Sequence, residues 1–99
     1  MSNFLIDLQQ KLEEIISDES KKESYSKLLI NSGSEKITKK VIEEAYEVCL
    51  ASIESSGHKN GKNQLILESA DLIYHLLILL ISKNVKIKEV FDELRERQK

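Results

Sequence analysis

Proline is absent from this 99-residue chain, and glycine occurs only three times. Proline breaks a helix interior by removing a backbone donor and clashing with the preceding turn, and glycine costs roughly 1 kcal/mol there. A chain short of both predicts long helices. The single cysteine, Cys49, cannot close an internal disulfide, which suits a reducing compartment. Aromatic residues are scarce at 5%, beside an ordinary apolar share of 40%. Charge of one sign is missing as well: 15 basic against 17 acidic residues leave a net charge of -2. That balance lacks the basic surplus with which nucleic-acid binders displace phosphate counterions. The first dozen residues have neither the basic start nor the continuous apolar core of a signal peptide. The longest unbroken apolar run, Leu76 to Ile81, falls far short of the ~20 residues that span a bilayer. The expectation is one soluble cytoplasmic domain over residues 1–99, with no nucleic-acid and no membrane partner.

What is present is apolar residues at helical spacing. Phe4, Leu5, Leu8, Leu12, Ile15 and Ile16 predict a first helix ending near Ser17 to Glu19. Ser17 to Ser26 reads as a loop, Tyr25 to Asn31 as a short helical turn, and Ser34 as an N-cap. A second long helix runs from about Glu35 to Ser55. Ile37, Val41, Ala45, Val48 and Ser52 share one side of it, flanked by Ile42 and Cys49. Lys36, Lys40, Glu43, Glu47 and Glu54 lie opposite, with Glu44 beside them. After a break at Ser55 to Asn63, containing Gly57 and Gly61, a third helix covers about Gln64 to Ser82. Of the 17 residues from Leu65 to Ile81, only Glu68, Ser69, Asp71 and His75 are not apolar. Asn84 ends this helix, and a fourth spans about Lys86 to Arg97 with Ile87, Val90, Phe91 and Leu94 inward. The fold class is all-α, a small bundle of about four helices. A helix apolar around most of its circumference needs cover on several sides, which predicts completion by homodimerisation.

Two carboxylates interrupt that most apolar helix. Glu68 and Asp71, three residues apart, share a face that Leu72, His75 and Leu79 extend. A buried carboxylate costs several kcal/mol unless it is protonated, ion-paired or metal-bound, and the segment contains no lysine or arginine. The second helix offers Glu43, Glu44 and Glu47 over a limited arc. An antiparallel pairing could set Glu44 and Glu47 against Glu68 and Asp71. Four or five facing carboxylates repel unless a cation joins them, and hard oxygen donors in that number favour Mg²⁺ or Mn²⁺. Magnesium coordination is usually completed by substrate phosphates, so a phosphorylated ligand is expected. The bland alternative is a solvated acidic face on a helical dimerisation module. It explains Glu43, Glu44 and Glu47 alone but not carboxylates inside the third helix.

Glu43-Glu44-x-x-Glu47 followed by Glu68-x-x-Asp71 resembles the metal-binding signature of the all-α nucleotide pyrophosphatases, the MazG and dimeric dUTPase superfamily. Three further stretches resemble the phosphoribosyl-ATP pyrophosphatase family: Ser24-Tyr25-Ser26-Lys27-Leu28-Leu29, Lys39-Lys40-Val41-Ile42-Glu43-Glu44-Ala45, and Glu68-Ser69-Ala70-Asp71-Leu72-Ile73-Tyr74-His75-Leu76-Leu77. With Glu93, Leu94 and Arg97 the resemblance covers nearly the whole chain. The chain departs from it in two places: Ile42 stands where the family commonly has glycine, and Lys21 and Lys22 occupy the region where an arginine is usual. One cysteine could not supply the ligands of the cyclohydrolase domain fused to some relatives. The resemblance implies Mg²⁺-dependent hydrolysis of phosphoribosyl-ATP to phosphoribosyl-AMP and pyrophosphate, the second step of histidine biosynthesis. A related enzyme acting on other nucleoside triphosphates or dUTP is the alternative. The implied metal ligands are Glu44, Glu47, Glu68 and Asp71, with Glu43 or Glu44 as the catalytic carboxylate.

Other residues have two readings each. Lys40 precedes Glu43 and Glu44 at ion-pair spacing and could bind phosphate instead. Tyr25 could stack on a base or anchor its loop. His75 reads as a satisfied core histidine bonded to a carboxylate or carbonyl, or as a ligand or proton shuttle. Cys49 reads as a small buried hydrophobe. Arg95 and Arg97 either reach phosphates from a neighbouring subunit or lie in a flexible end.

Overall fold

The computed structural model describes residues 3–21, 24–54 and 61–99, and these are helical apart from short turns and connections, with no strand among them. The order is α1 (Asn3–Ser17), α2 (Tyr25–Ser32), α3 (Ser34–Glu54), α4 (Gly61–Ser82) and α5 (Ile87–Arg97). The all-α expectation holds, with the short turn at Tyr25 grown into a helix of eight residues. Helix α4 begins at Gly61, three residues before the expected start, and this glycine is buried. The rest of the expected break, residues 55–60 with Gly57, lies outside the described residues, as does Lys22.

Local chemistry explains the boundaries. Ser24 caps α2 by accepting from the Lys27 backbone N–H at 3.2 Å. Gly33 both ends α2 and starts α3. Its N–H reaches the Ile30 carbonyl (3.4 Å) and its carbonyl accepts from the Ile37 N–H (3.3 Å). Its φ of 96° and ψ of 167° fall in a region that only glycine occupies comfortably. Ser34, expected as the cap, is therefore the first helical residue, and its hydroxyl accepts from Lys83 Nζ at 3.1 Å. Asn84, at φ 57°, closes α4 as expected. The Val85 N–H bonds the Leu80 carbonyl (2.9 Å) and the Asn84 N–H bonds that of Ile81 (3.1 Å).

Leu12, Leu29, Ile37, Leu77, Ile78 and Ile87 form the buried core, so every helix contributes. Buried Gln9 ties α1 to the α4–α5 turn: its Nε2 donates to the Val85 carbonyl (3.0 Å) and its Oε1 accepts from the Ile87 N–H (2.7 Å). Helices α3 and α4 form the main packed pair. They run antiparallel, with Ser34 beside Lys83 at one end and Glu44 beside His75 near mid-length. The core lies at the Ser34–Lys83 end, and the hairpin extends beyond it.

Several inward expectations are corrected there. Helix α3 presents Ile37, Glu44 and Ala51 to the interior, with Val41 and Val48 beside them, while Ser52 and Cys49 are exposed. Ile42, Tyr46, Cys49 and Ile53 make a second apolar stripe on the opposite side, exposed in this structure; Ile53 is 74% exposed. On α4, Ile66, Leu67, Ile73 and Leu76 are exposed too, and on α5 Leu94 is exposed because that helix packs chiefly on α1. By length and composition alone α4 could cross a membrane, and only 17% of its apolar window is buried in this structure. The radius of gyration is 15.2 Å, against about 12.6 Å for a compact domain of this length. The accessible surface is 7395 Å², against roughly 5,800 Å² for a monomer of this mass.

Candidate metal centre

Glu44, from mid-α3, and Glu68 and Asp71, from successive turns of α4, each bring a carboxylate oxygen within 4.8 Å of the other two. Glu44 and Glu68 are half-buried and Asp71 is exposed. The i,i+3 spacing on α4 and the antiparallel crossing of α3 are what place them together. Gln64, one turn before Glu68, donates from Nε2 to Glu68 Oε1 at 2.7 Å and restrains that carboxylate. Two unit charges 4.8 Å apart repel by ~1 kcal/mol in water and ~3.5 kcal/mol at an effective dielectric of about 20. Three hard oxygen donors around one point, with an open side at Asp71, fit a divalent cation that keeps positions for water or phosphate.

His75 closes the inner side of the cluster. It is 6% exposed, and its Nδ1 lies 2.8 Å from the Asp71 main-chain oxygen and 4.0 Å from Glu44 Oε1. A carbonyl oxygen only accepts, so Nδ1 carries the proton and Nε2 accepts from the Tyr25 hydroxyl at 2.8 Å. The satisfied-histidine reading is the geometry found. Tyr25, the first residue of α2, also stacks on Tyr74 (centroids 6.0 Å, 23°) and meets His75 edge-on (5.7 Å, 88°). Burial pushes the Tyr74 phenol up from its ordinary value and the neighbouring Tyr25 adds to this, against a lowering hydrogen bond from buried Ser26. Among the described residues no buried side-chain polar atom lacks a partner.

The other expected site residues stand further out. Glu47 is exposed and is not one of the clustered carboxylates. Glu43 is exposed and lies 3.8 Å from Lys40 Nζ, the plain intrahelical pair. Arg97, expected in a flexible end, is in the last turn of α5 and donates to Glu93 Oε2 at 3.0 Å; Arg95 likewise donates to Asp92 (3.0 Å). Helix α5 packs chiefly on α1, so neither arginine is carried to the cluster. Sequence reasoning missed Gln64, whose i,i+4 spacing to Glu68 was available, and Ser26, for which no local signal exists.

A family model described as phosphoribosyl-ATP pyrophosphohydrolase matches residues 5–98. The chain belongs to that family. Among relatives named phosphoribosyl-ATP pyrophosphatase, one from Listeria monocytogenes is 43% identical over 81 residues, covering 82% of this chain and 73% of its own. Another from Pyrobaculum neutrophilum is 40% identical over 93 residues, 91% of this chain and 94% of the relative. A bifunctional histidine-biosynthesis protein of Caldanaerobacter subterraneus is 42% identical over 76 residues, 77% of this chain, which spans only 35% of that longer protein. The family thus includes proteins of about this chain's length and larger ones.

Proposed function

We propose that this chain hydrolyses phosphoribosyl-ATP to phosphoribosyl-AMP and pyrophosphate in histidine biosynthesis, with Mg²⁺ held by Glu44, Glu68 and Asp71. The observation that carries the reading is the carboxylate trio at the α3–α4 seam, in a chain whose family match runs from residue 5 to 98. When bound, Mg²⁺ (or Mn²⁺) supplies neutralisation of the phosphate oxygens and acidifies water for attack at the α-phosphorus. Glu44 and Glu68 hold their carboxylates at a half-buried seam, and Asp71 faces the solvent side from which phosphates arrive. Glu47, one turn beyond Glu43 and Glu44 on α3, joins the ligand set by a change of side-chain rotamer. Glu43, on the rim, takes the proton from water or orients it, and Lys40 beside it attracts the phosphate chain.

Tyr25 contributes its ring to this reading, since its hydroxyl is engaged by His75. Arg97 reaches a phosphate only across a subunit boundary. The homodimer is supported by the exposed apolar stripes of α3 and α4 and by a surface some 1,600 Å² larger than a compact monomer needs. Such an enzyme works in the cytoplasm on a small soluble substrate. The test is pyrophosphate release from phosphoribosyl-ATP and from a panel of nucleoside triphosphates, each with Mg²⁺ or with chelator. Release from phosphoribosyl-ATP alone, abolished by chelation, is expected. Release from dUTP or other triphosphates in preference establishes the alternative substrate class, and chelator-resistant release removes the metal reading.

A further inference from the structure

We propose that His75 is a positioning residue for the carboxylate trio and that the Tyr25 hydroxyl holds its ring in place, so that seating α2 against α4 sets how Glu44 and Asp71 meet a divalent cation. The inference rests on the metal reading above and goes further, because it makes cation affinity depend on a hydroxyl from a different helix that touches no carboxylate of the trio.

The tautomer follows from the partners. The Asp71 carbonyl leaves Nδ1 no choice but to donate (2.8 Å), and a neutral imidazole has one N–H, so Nε2 presents its lone pair to the Tyr25 hydroxyl (2.8 Å). Almost no water reaches this ring to replace either partner, since His75 is buried. In this tautomer the positive end of the Nδ1–H dipole faces the Asp71 carbonyl and, at 4.0 Å, Glu44 Oε1. The opposite tautomer turns a lone pair toward both oxygens, which repels the carboxylate from the seam. The Asp71 carbonyl thus fixes the tautomer, and the Tyr25 hydroxyl, the ring's other partner, holds it in the orientation that lets Glu44 sit 4.0 Å away.

Tyr25 is itself held. It is the first residue of α2, directly after the Ser24 cap, and its ring stacks on Tyr74. Lys27 Nζ donates to the Asp18 carbonyl just past the end of α1 at 2.6 Å, fixing α2 two residues on. Position passes from α1 to α2, from α2 through the Tyr25 hydroxyl to His75, and from His75 to Glu44 and to the turn of α4 that carries Asp71. Without the Glu44 contact, this would be an ordinary satisfied histidine anchoring a short helix.

The experiment uses the full chain, wild type and Tyr25→Phe, with Tyr46→Phe as a control for the same chemical change on an exposed tyrosine. Each is confirmed folded by circular dichroism. Two readouts are taken: the His75 tautomer from two-bond ¹H–¹⁵N correlation of its imidazole, assigned by its loss in His75→Gln, and Mg²⁺ affinity from melting temperature against Mg²⁺ alone. Wild type is expected to show the Nδ1–H form. Tyr25→Phe is expected to keep the Nδ1–H form, because the Asp71 carbonyl remains, and to weaken Mg²⁺ binding by about tenfold, the lower end of the range for removing a group that orients a metal ligand. Tyr46→Phe changes neither. If wild type binds Mg²⁺ and Tyr25→Phe binds it equally well, the positioning role is overturned while the metal site stands, whether or not the variant melts lower. A wild-type ring in the Nε2–H form overturns it likewise. If wild type itself is indifferent to Mg²⁺, the metal reading fails and takes this inference with it.

Discussion

Asp71→Asn should raise the melting temperature of the metal-free protein and lower it, relative to wild type, once Mg²⁺ is present. Asparagine keeps the shape and removes one charge from a cluster whose members lie within 4.8 Å of each other. Asp71 belongs to two of the three repelling pairs, and because it is exposed the interaction is nearer its water value than its interior value. Relief of two pairs at ~1 kcal/mol each comes to roughly 2 kcal/mol at low salt and less as salt screens it. For a domain of this size about 2 kcal/mol corresponds to roughly 8–16 °C. The His75 bond to residue 71 uses the main-chain carbonyl, so the substitution leaves it intact. In Mg²⁺ at a hundred times its dissociation constant, wild type gains about 2.7 kcal/mol that the variant lacks, so the order of melting reverses. Differential scanning fluorimetry at one protein concentration, with chelator and then with Mg²⁺, reads both halves. A variant that melts below wild type in chelator, or curves that never cross, would refute the account of the cluster as mutual repulsion relieved by a cation.

Gln9→Leu should destabilise by roughly 2–4 kcal/mol in urea unfolding, because it strands the Ile87 N–H and the Val85 carbonyl at a buried junction; a loss under 0.5 kcal/mol would show that water replaces the amide. Gly33→Ala should cost about 1–3 kcal/mol from backbone conformation alone, since a Cβ there meets nothing within 4 Å, and a neutral result would mean that the α2–α3 junction adopts another φ. The Tyr74 phenol is held above its ordinary value of 10.0, chiefly by burial, so the folded state keeps that proton longer than the unfolded state. Its contribution is complete below pH 10 and is lost as pH rises through the folded value. Tyr74→Phe should therefore flatten the alkaline limb of the stability curve, and an unchanged limb would count against the burial.

How much of this was legible in the sequence depended on range. Glu68 and Asp71 could be paired from spacing alone, but the burial cost expected of them inside an apolar helix is not met, since Asp71 is exposed and Glu68 only half-buried. Asn84 marks a real helix end, because helix termination is local chemistry. The inward face of α3 was read about a twelfth of a turn or more toward Ala45 and Ser52, which left Glu44 among the solvated charges. The reason is the second stripe: Ile42 and Cys49 are apolar on the outer side, so the apolar residues of one helix answer to two surfaces, and periodicity averages them. The Tyr25–His75 bond joins residues fifty apart in sequence, and the Gln9 clamp residues more than seventy apart. Neither has a helical period to betray it. Glu47 was grouped with Glu44 because both fall on one arc of α3, whereas the crossing of α4 selects only one of them.

The central claim is that a divalent cation held by Glu44, Glu68 and Asp71 is required to split phosphoribosyl-ATP. The most direct measurement compares pyrophosphate release by wild type, Asp71→Asn and Glu54→Gln at saturating Mg²⁺, all shown to be folded. Both substitutions change net charge by one, but Glu54 is exposed at the end of α3 and outside the cluster. The account predicts a loss of orders of magnitude for Asp71→Asn, not recovered at higher pH, and near wild-type release for Glu54→Gln. Equal release by the two variants would contradict it.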